Sequence, residues 1–195
     1  MRIITGRARG TKLAAPKGEI TRPTAERTKE AVFSMLQFDI AGREVLDLFA
    51  GSGQMGLEAV SRGASHACLC DRSREAVEVI RANALKTQLA PECDIVCSDH
   101  ATLLRNLRRK KCFDLVFLDP PYAQGLIPDA LGKLVEYGLL QTGAKLVCET
   151  AAPEDVFAGN GELESHFEIL RTTRYGVACV TLLQYKTNDG EETTL

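Results

Sequence analysis

A chain of 195 residues, 45% hydrophobic and 26% charged, is sized for one ordinary domain with a small appendage and has the composition of a globular protein. No apolar run approaches the roughly 18 residues of a membrane span and the N-terminus lacks an apolar signal-like core, so a cytoplasmic protein is expected. The net charge of −2 hides an asymmetry: residues 1–29 hold eight basic residues (Arg2, Arg7, Arg9, Lys12, Lys17, Arg22, Arg27, Lys29) against two acids, while the remainder holds 16 basic and 24 acidic residues. A basic front end on an acidic body points to an anionic partner met by the N-terminus.

In chain order, RIITGRARGTKLAAP suggests two short strands around a turn containing Arg7 and Gly10, a basic hairpin. RPTAERTKEAVFSML predicts a helix, with Pro23 at its start, Thr24 as a cap and an apolar stripe of Ala31, Val32, Met35 and Leu36. Residues 1–42 thus form an appendage and 43–186 the main domain, followed by a polar tail at 187–195. Within the main domain, strand candidates VLDLF, HACLC, DIVCS, DLVFL and KLVCE alternate with helix candidates at 54–62, 73–88, 100–110 and 126–138. Short, nearly all-apolar strands in that rhythm predict an α/β fold with a mostly parallel sheet covered by helices on both faces. FEILRTTRYGVACVTLLQYK then predicts a terminal hairpin that brings the sheet to seven strands and adds an antiparallel one.

Seven cysteines without CxxC or a Cys/His ligand pattern, and three scattered histidines, give no sign of a metal site. Cys68, Cys70, Cys97, Cys148 and Cys179 lie in apolar runs and are expected as small buried hydrophobes.

Two stretches carry chemistry. The first strand of the main domain runs into DLFAGSGQMGLEA, where Gly51, Gly53 and Gly56 form GxGxxG between a strand and a helix. With Asp71 closing the next strand, 20 residues after Gly51, this pattern suits a dinucleotide. Asp47, four residues before Gly51, argues otherwise: a carboxylate aimed at the crevice would repel a pyrophosphate, whereas S-adenosylmethionine carries an ammonium and a sulfonium. The second stretch, FDLVFLDPPYAQG, ends an apolar strand with Asp119, Pro120, Pro121 and Tyr122. An exocyclic amine is a poor nucleophile, and acceptors fixed at a strand end can hold its N–H bonds while the lone pair turns toward a methyl. The Asp119 carboxylate and the Pro120 carbonyl are such acceptors, two prolines lock the backbone without adding donors, and Tyr122 offers a flat face to a base pulled from its stack. No cysteine follows a proline, so a Pro-Cys nucleophile is absent.

LDLFAGSGQMGLEA followed by DPPY resembles a class I S-adenosylmethionine-dependent methyltransferase, with its Rossmann-like fold. RIITGRARGTKL and RPTAERTKEAVFSML narrow the resemblance to the RsmD-like family, bacterial enzymes that methylate the N2 of one guanine in 16S ribosomal RNA. The resemblance covers roughly residues 1–150. It implies that Asp47, Phe49, Ala50, Gly51, Ser52 and Gly53 line the methionine end of the cofactor, that Asp71, flanked by Arg72, binds the ribose, and that Asp99 and His100 meet the adenine, with Asp119 beside the reacting centre. Asp99 equally suits a helix N-cap before ATLLRNL. It further implies that Arg2, Arg7, Arg9, Lys12 and Arg27 face RNA, and that Arg22 and Thr24 lie near the cofactor or base. A monomer is this family's default, and the substrate is free 16S RNA or an assembled small subunit. The basic run at 105–111 suits either RNA or a helix C-terminus. Three alternatives remain: an N6-adenine DNA methyltransferase using the same DPPY chemistry, a nicotinamide-dependent oxidoreductase, and a non-catalytic RNA-binding module.

Overall fold

The computed structural model describes residues 1–16, 23–121 and 125–186, with side chains at 23–25 outside the description. Lys17, Arg22, Tyr122, the side chain of Thr24 and the tail at 187–195 therefore lie outside the described residues. The elements are α1 (Pro23–Met35), β1 (Glu44–Asp47), α2 (Gln54–Ser61), β2 (His66–Asp71), α3 (Arg74–Lys86), β3 (Cys93–Cys97), α4 (His100–Leu107), β4 (Phe113–Leu118), α5 (Leu126–Glu136), β5 (Leu140–Thr150), α6 (Gly161–Ser165), β6 (Phe167–Tyr175) and β7 (Ala178–Tyr185). None of the described helices is long and apolar enough to cross a membrane.

One seven-stranded sheet has the order β3-β2-β1-β4-β5-β7-β6. The first five strands are parallel; β7 runs antiparallel to β5, and β6 antiparallel to β7. Strand alternation divides the core. Val45, Leu69, Leu115, Phe117 and Val147 join a cluster with Phe33, Leu57 and Ile80 from α1–α3. Their neighbours Leu46, Cys68, Val116 and Leu146 join another with Leu104, Leu131 and Leu163 from α4–α6. A period of two in the strands thus buries both faces, as the apolar runs predict. The order reverses between β1 and β4, so the loops leaving their C-terminal ends splay apart over a crevice, the usual ligand position in such sheets.

The N-terminal segment is less regular than expected. Among its described residues it contains a single bridge, Arg2 to Lys12, in place of two strands. Backbone bonds within the arm, such as Ile3 N–H to the Thr11 carbonyl and Leu13 N–H to that of Met1, are supplemented by side chains of α2 and α3. The Glu58 carboxylate accepts from the amides of Ile4 and Thr5 (2.7 and 2.9 Å), Ser61 Oγ from that of Ala8 (3.1 Å), and Asn83 Oδ1 from that of Ala14 (2.8 Å). Gly6 is required: its φ is +84°, and a Cβ there would lie 1.8 Å from the Ser61 carbonyl oxygen. Ile3, Ala8 and Leu13 sit in the same core cluster as Phe33 and Val45, so this arm shares the sheet's core. On α1 the apolar part of the buried face is Val32 and Phe33, continued by Leu36 just past its end, while Ala31 and Met35 are half-buried.

Other differences have local causes. β5 begins at Leu140 rather than near Lys145, because Gly143 (φ +77°) lets the strand bend across a register shift against β4 between Phe113 and Leu115. Cys97 is exposed, not buried, because β3 is an edge strand, and Cys93 and Cys112 are half-buried. All seven thiols are free. Burial pushes Cys68 up to about 11 and Cys70 and Cys93 up to about 12, and it also raises Cys148, so these are packing residues rather than nucleophiles. The β6/β7 hairpin forms as expected, with a register shift at Ile169/Arg171.

Candidate active site

The glycine turn after β1 is built from the backbone outward. Gly51 (φ +54°) and Gly53 (φ +78°) take left-handed conformations. At Gly53 an added Cβ would press on Ile80 and Leu69, and at Gly56 it would come within 2.8 Å of Leu69. The turn's amides are used internally. Gly51 N–H donates to Asp71 Oδ2 (2.9 Å), Gly53 N–H to the Ala50 carbonyl (2.6 Å), and Gly56 N–H to Asp47 Oδ2 (2.9 Å). They are therefore already committed where a pyrophosphate would need them.

A cavity of about 440 Å³ opens beside this turn, within the size range of small-molecule sites. Its wall brings together Phe49, Gly51, Asp71, Arg72, Asp99, His100, Asp119, Pro120 and Pro121, all anticipated from sequence, with Leu48, Ser98 and Leu126 in addition. Three carboxylates against one guanidinium make it an acidic cavity. Asp71 also accepts from Ser73 N–H (2.8 Å), so both of its oxygens brace the backbone while it faces the cavity. Asp99 serves two purposes: it caps α4 by accepting from Thr102 N–H (2.9 Å), which holds its carboxyl below the usual range, and it lines the cavity.

His100 is fixed by contacts that sequence reasoning missed. Its Nε2 lies 2.6 Å from Asp129 Oδ2, and its ring centroid 5.5 Å from that of Phe49. Burial acts against ionisation of Asp129, but hydrogen bonds from Lys133 and His100 outweigh it and hold the carboxyl below its ordinary value. Nothing local in the sequence pairs residues 100 and 129, which meet only because α4 packs on α5.

The wall departs from expectation at Asp47, Ala50, Ser52 and Gly53, which lie behind the turn and are absent from the cavity lining. Asp47 shares a strand face with Val45, is 3% exposed, and turns toward Gly56 rather than into the crevice. Burial pushes its carboxyl up to about 7, with the Gly56 amide opposing and the Asp71 charge adding to the shift. Ser52 is also buried, its Oγ 3.0 Å from Met1 Sδ and its carbonyl accepting from Asn83 Nδ2 (2.9 Å). Its role is to join the turn to the N-terminal arm.

On the basic side, Arg2, Arg7, Arg9, Lys12 and Arg27 are exposed. Arg7 forms an ion pair with Glu92 at 2.7 Å. Lys29 does not belong to the outward-facing charge: it is 3% exposed and held by Glu58 (3.0 Å) and the Arg2 carbonyl (2.8 Å). In the run 105–111, Arg105 lies in the last turn of α4, Lys111 pairs with Asp94 (2.9 Å) and Arg108 stacks over Tyr137.

A model of the family described as conserved hypothetical protein 95 matches residues 1–184. The ribosomal RNA small subunit methyltransferase D of Escherichia coli K12 is 35% identical over 150 residues, covering 77% of this chain and 74% of its own. YlbH of Bacillus subtilis is 35% identical over 150 residues, covering 76% and 82%. The solved structure of yhhF from Escherichia coli superposes with a TM-score of 0.83 at 31% identity, covering 95% of this chain and 98% of that one. Glycine turn, acidic cavity, DPP turn and N-terminal arm thus occur together in a chain that belongs to the conserved hypothetical protein 95 family, alongside the small-subunit ribosomal RNA methyltransferase D proteins.

Proposed function

We propose that the chain methylates the exocyclic N2 amine of a guanine in 16S ribosomal RNA, using S-adenosylmethionine. One observation carries the reading: the glycine turn, with its Gly51, Gly53 and Gly56 amides bonded within the protein, and the Asp119-Pro120-Pro121 turn border a single acidic cavity. This donor set fits a cationic cofactor. Asp71 and Asp99 suit a ribose diol and an adenine amine, Leu48, Phe49 and Leu126 an apolar ring, and Gly51 a close backbone approach. The same lining disfavours a dinucleotide, whose pyrophosphate would meet the carboxylates of Asp71, Asp99 and Asp119.

When bound, S-adenosylmethionine supplies a methyl whose bond to sulfur breaks as a bond to N2 forms, the electron pair returning to sulfur. The protein's contribution is alignment and exclusion of water. Asp119 and the Pro120 carbonyl accept from the N2 amine, turn its lone pair toward the methyl and stabilise the positive charge that develops on nitrogen, which then sheds one proton. Tyr122, next in sequence, is assigned to stack on the base. Arg2, Arg7, Arg9, Lys12 and Arg27, together with Arg22 and Thr24, are assigned to the RNA, with phosphate contacts giving a steep salt dependence.

Labelled S-adenosylmethionine, offered in parallel with unmethylated small subunits, their deproteinised RNA and unmethylated DNA, tests this reading. N2-methylguanosine at one RNA position is expected, and Asp119→Ala should lower kcat by about a hundredfold or more while RNA binding persists. N6-methyladenine in DNA would overturn the substrate, and transfer to none of the three would overturn the reaction.

A further inference from the structure

A second cavity, of about 390 Å³, lies on the other side of the DPP turn. It shares Pro120, Pro121 and Leu126 with the first cavity and is otherwise lined by the start of α5 (Gly125, Ile127, Pro128), the end of β5 and the turn beyond it. The two spaces therefore meet at the backbone that carries the acceptors. A purine fits the second with room for part of its ribose. No lysine or arginine lines it among the described residues, whereas Glu149 and Asp155 do, so its chemistry favours a base edge over a phosphate.

Thr150 Oγ1 donates to the Ala152 carbonyl (2.8 Å), and Asp155 Oδ2 accepts from the Ala152 amide (3.0 Å). Both hold the chain as it leaves β5. Glu149 is the half-buried carboxylate at the strand end, fixed in register against Val180 of β7. An ionised carboxylate offers about four lone pairs and accepts two parallel N–H bonds in a fork.

Guanine is the base that presents two adjacent donors on its Watson–Crick edge, N1–H and N2–H. Adenine and cytosine each place a ring acceptor beside their amine, which would face a carboxylate oxygen without a proton between them. We infer that Glu149 selects guanine: the base enters the second cavity, donates N1–H and one N2–H to the Glu149 carboxylate, and leaves the other N2–H for Asp119 and the Pro120 carbonyl. Both hydrogens of the amine are then held from opposite sides of the proline turn. Accepting one of them also raises electron density on N2, so the group that reads the base helps to activate it. This assignment rests on the proposed guanine methylation and adds to it the residue that sets base choice.

The test exchanges donor for acceptor on both partners. Full-length RNA is ligated to carry either guanine or 2,6-diaminopurine at the methylated position. The analogue keeps the N2 amine but has an acceptor at N1. Wild-type enzyme is expected to favour guanine by at least about tenfold in kcat/KM. Glu149→Gln, which offers one acceptor and one donor, should invert that preference, and Glu149→Ala should be slow on both substrates and nearly indifferent between them. S-adenosylhomocysteine affinity and thermal unfolding of the variants report folding independently of base choice. A guanine to diaminopurine ratio unchanged in Glu149→Gln would overturn the assignment while leaving guanine methylation intact. A wild-type product other than N2-methylguanosine would overturn the parent reading and this one with it.

Discussion

The two faces of the sheet are built on different principles. Against α4–α6 the core is apolar, a layer of Leu103, Leu104, Ile127, Leu131, Leu134 and Leu163, and none of these three helices contributes a buried polar side chain among the described residues. Against α1–α3 the same depth contains Lys29, Glu58, Ser61 and Asn83. Each of these four reaches the N-terminal arm. Among the described residues the arm has a single bridge of its own, so several of its amides and carbonyls take side-chain partners that a ladder would otherwise supply. One face stores stability as apolar area; the other uses part of it to dock a segment that does not pair with the sheet.

The largest effect expected from breaking this contrast is at Glu58. Glu58→Ala leaves the Lys29 ammonium buried and the Ile4 and Thr5 amides without acceptors, a loss of about 3–5 kcal/mol. Urea unfolding measures the loss, and tryptic cleavage at Arg7 and Arg9 should accelerate as the arm comes away. Unchanged cleavage would mean that apolar contacts of Ile3, Ala8 and Leu13 suffice. Next is Asp47, which keeps its proton to about pH 7 in the folded protein but releases it near 3.8 when unfolded. The folded state therefore binds more protons across that window, and this site's contribution to stability falls as pH rises from about 4 to about 7. Asp47→Asn retains an acceptor for the Gly56 amide and should flatten that part of the profile, by at most about 4 kcal/mol; parallel profiles for the two proteins would place the titration elsewhere. On the opposite face, Leu131→Ala should cost about 3 kcal/mol without exposing the arm to trypsin. Smallest is Asn83→Ala, which loses the bonds to Ala14 and to the Ser52 carbonyl, roughly 1–3 kcal/mol. Calorimetry with S-adenosylhomocysteine would show whether the arm and the glycine turn are energetically joined, weaker binding by the variant being the expected result.

Much of this was legible in the sequence because it is local. Apolar runs and their alternation marked the seven strands, and the motifs GSGQMG and DPP located the crevice. Features that depend on contacts far apart in the chain were not legible. Lys29 counts as one more surface charge until Glu58 is found beneath it, and His100 has no visible partner until α5 brings Asp129 alongside. Asp47 was misplaced for a subtler reason: its position in the crevice strand was correct, but the pleat turns its side chain toward Gly56, under the turn instead of over it. The helix α6 is five residues long and capped by Asn160, too short for any periodicity to announce it. At Glu149 the residue was visible as a strand end, but the second cavity that gives it a purpose is enclosed by three separate segments.

The register shift in β6 has a consequence for life at high concentration. An outermost strand offers a row of open amides and carbonyls to any copy that drifts past, and a long flat one invites fibrous self-association. Here the irregularity between Ile169 and Arg171 interrupts that row midway, and exposed Glu168, Arg171 and Arg174 place charges of both signs along it. At the opposite margin β3 is short and carries the Asp94–Lys111 pair. Neither border of the sheet presents an uninterrupted template for pairing with a second copy.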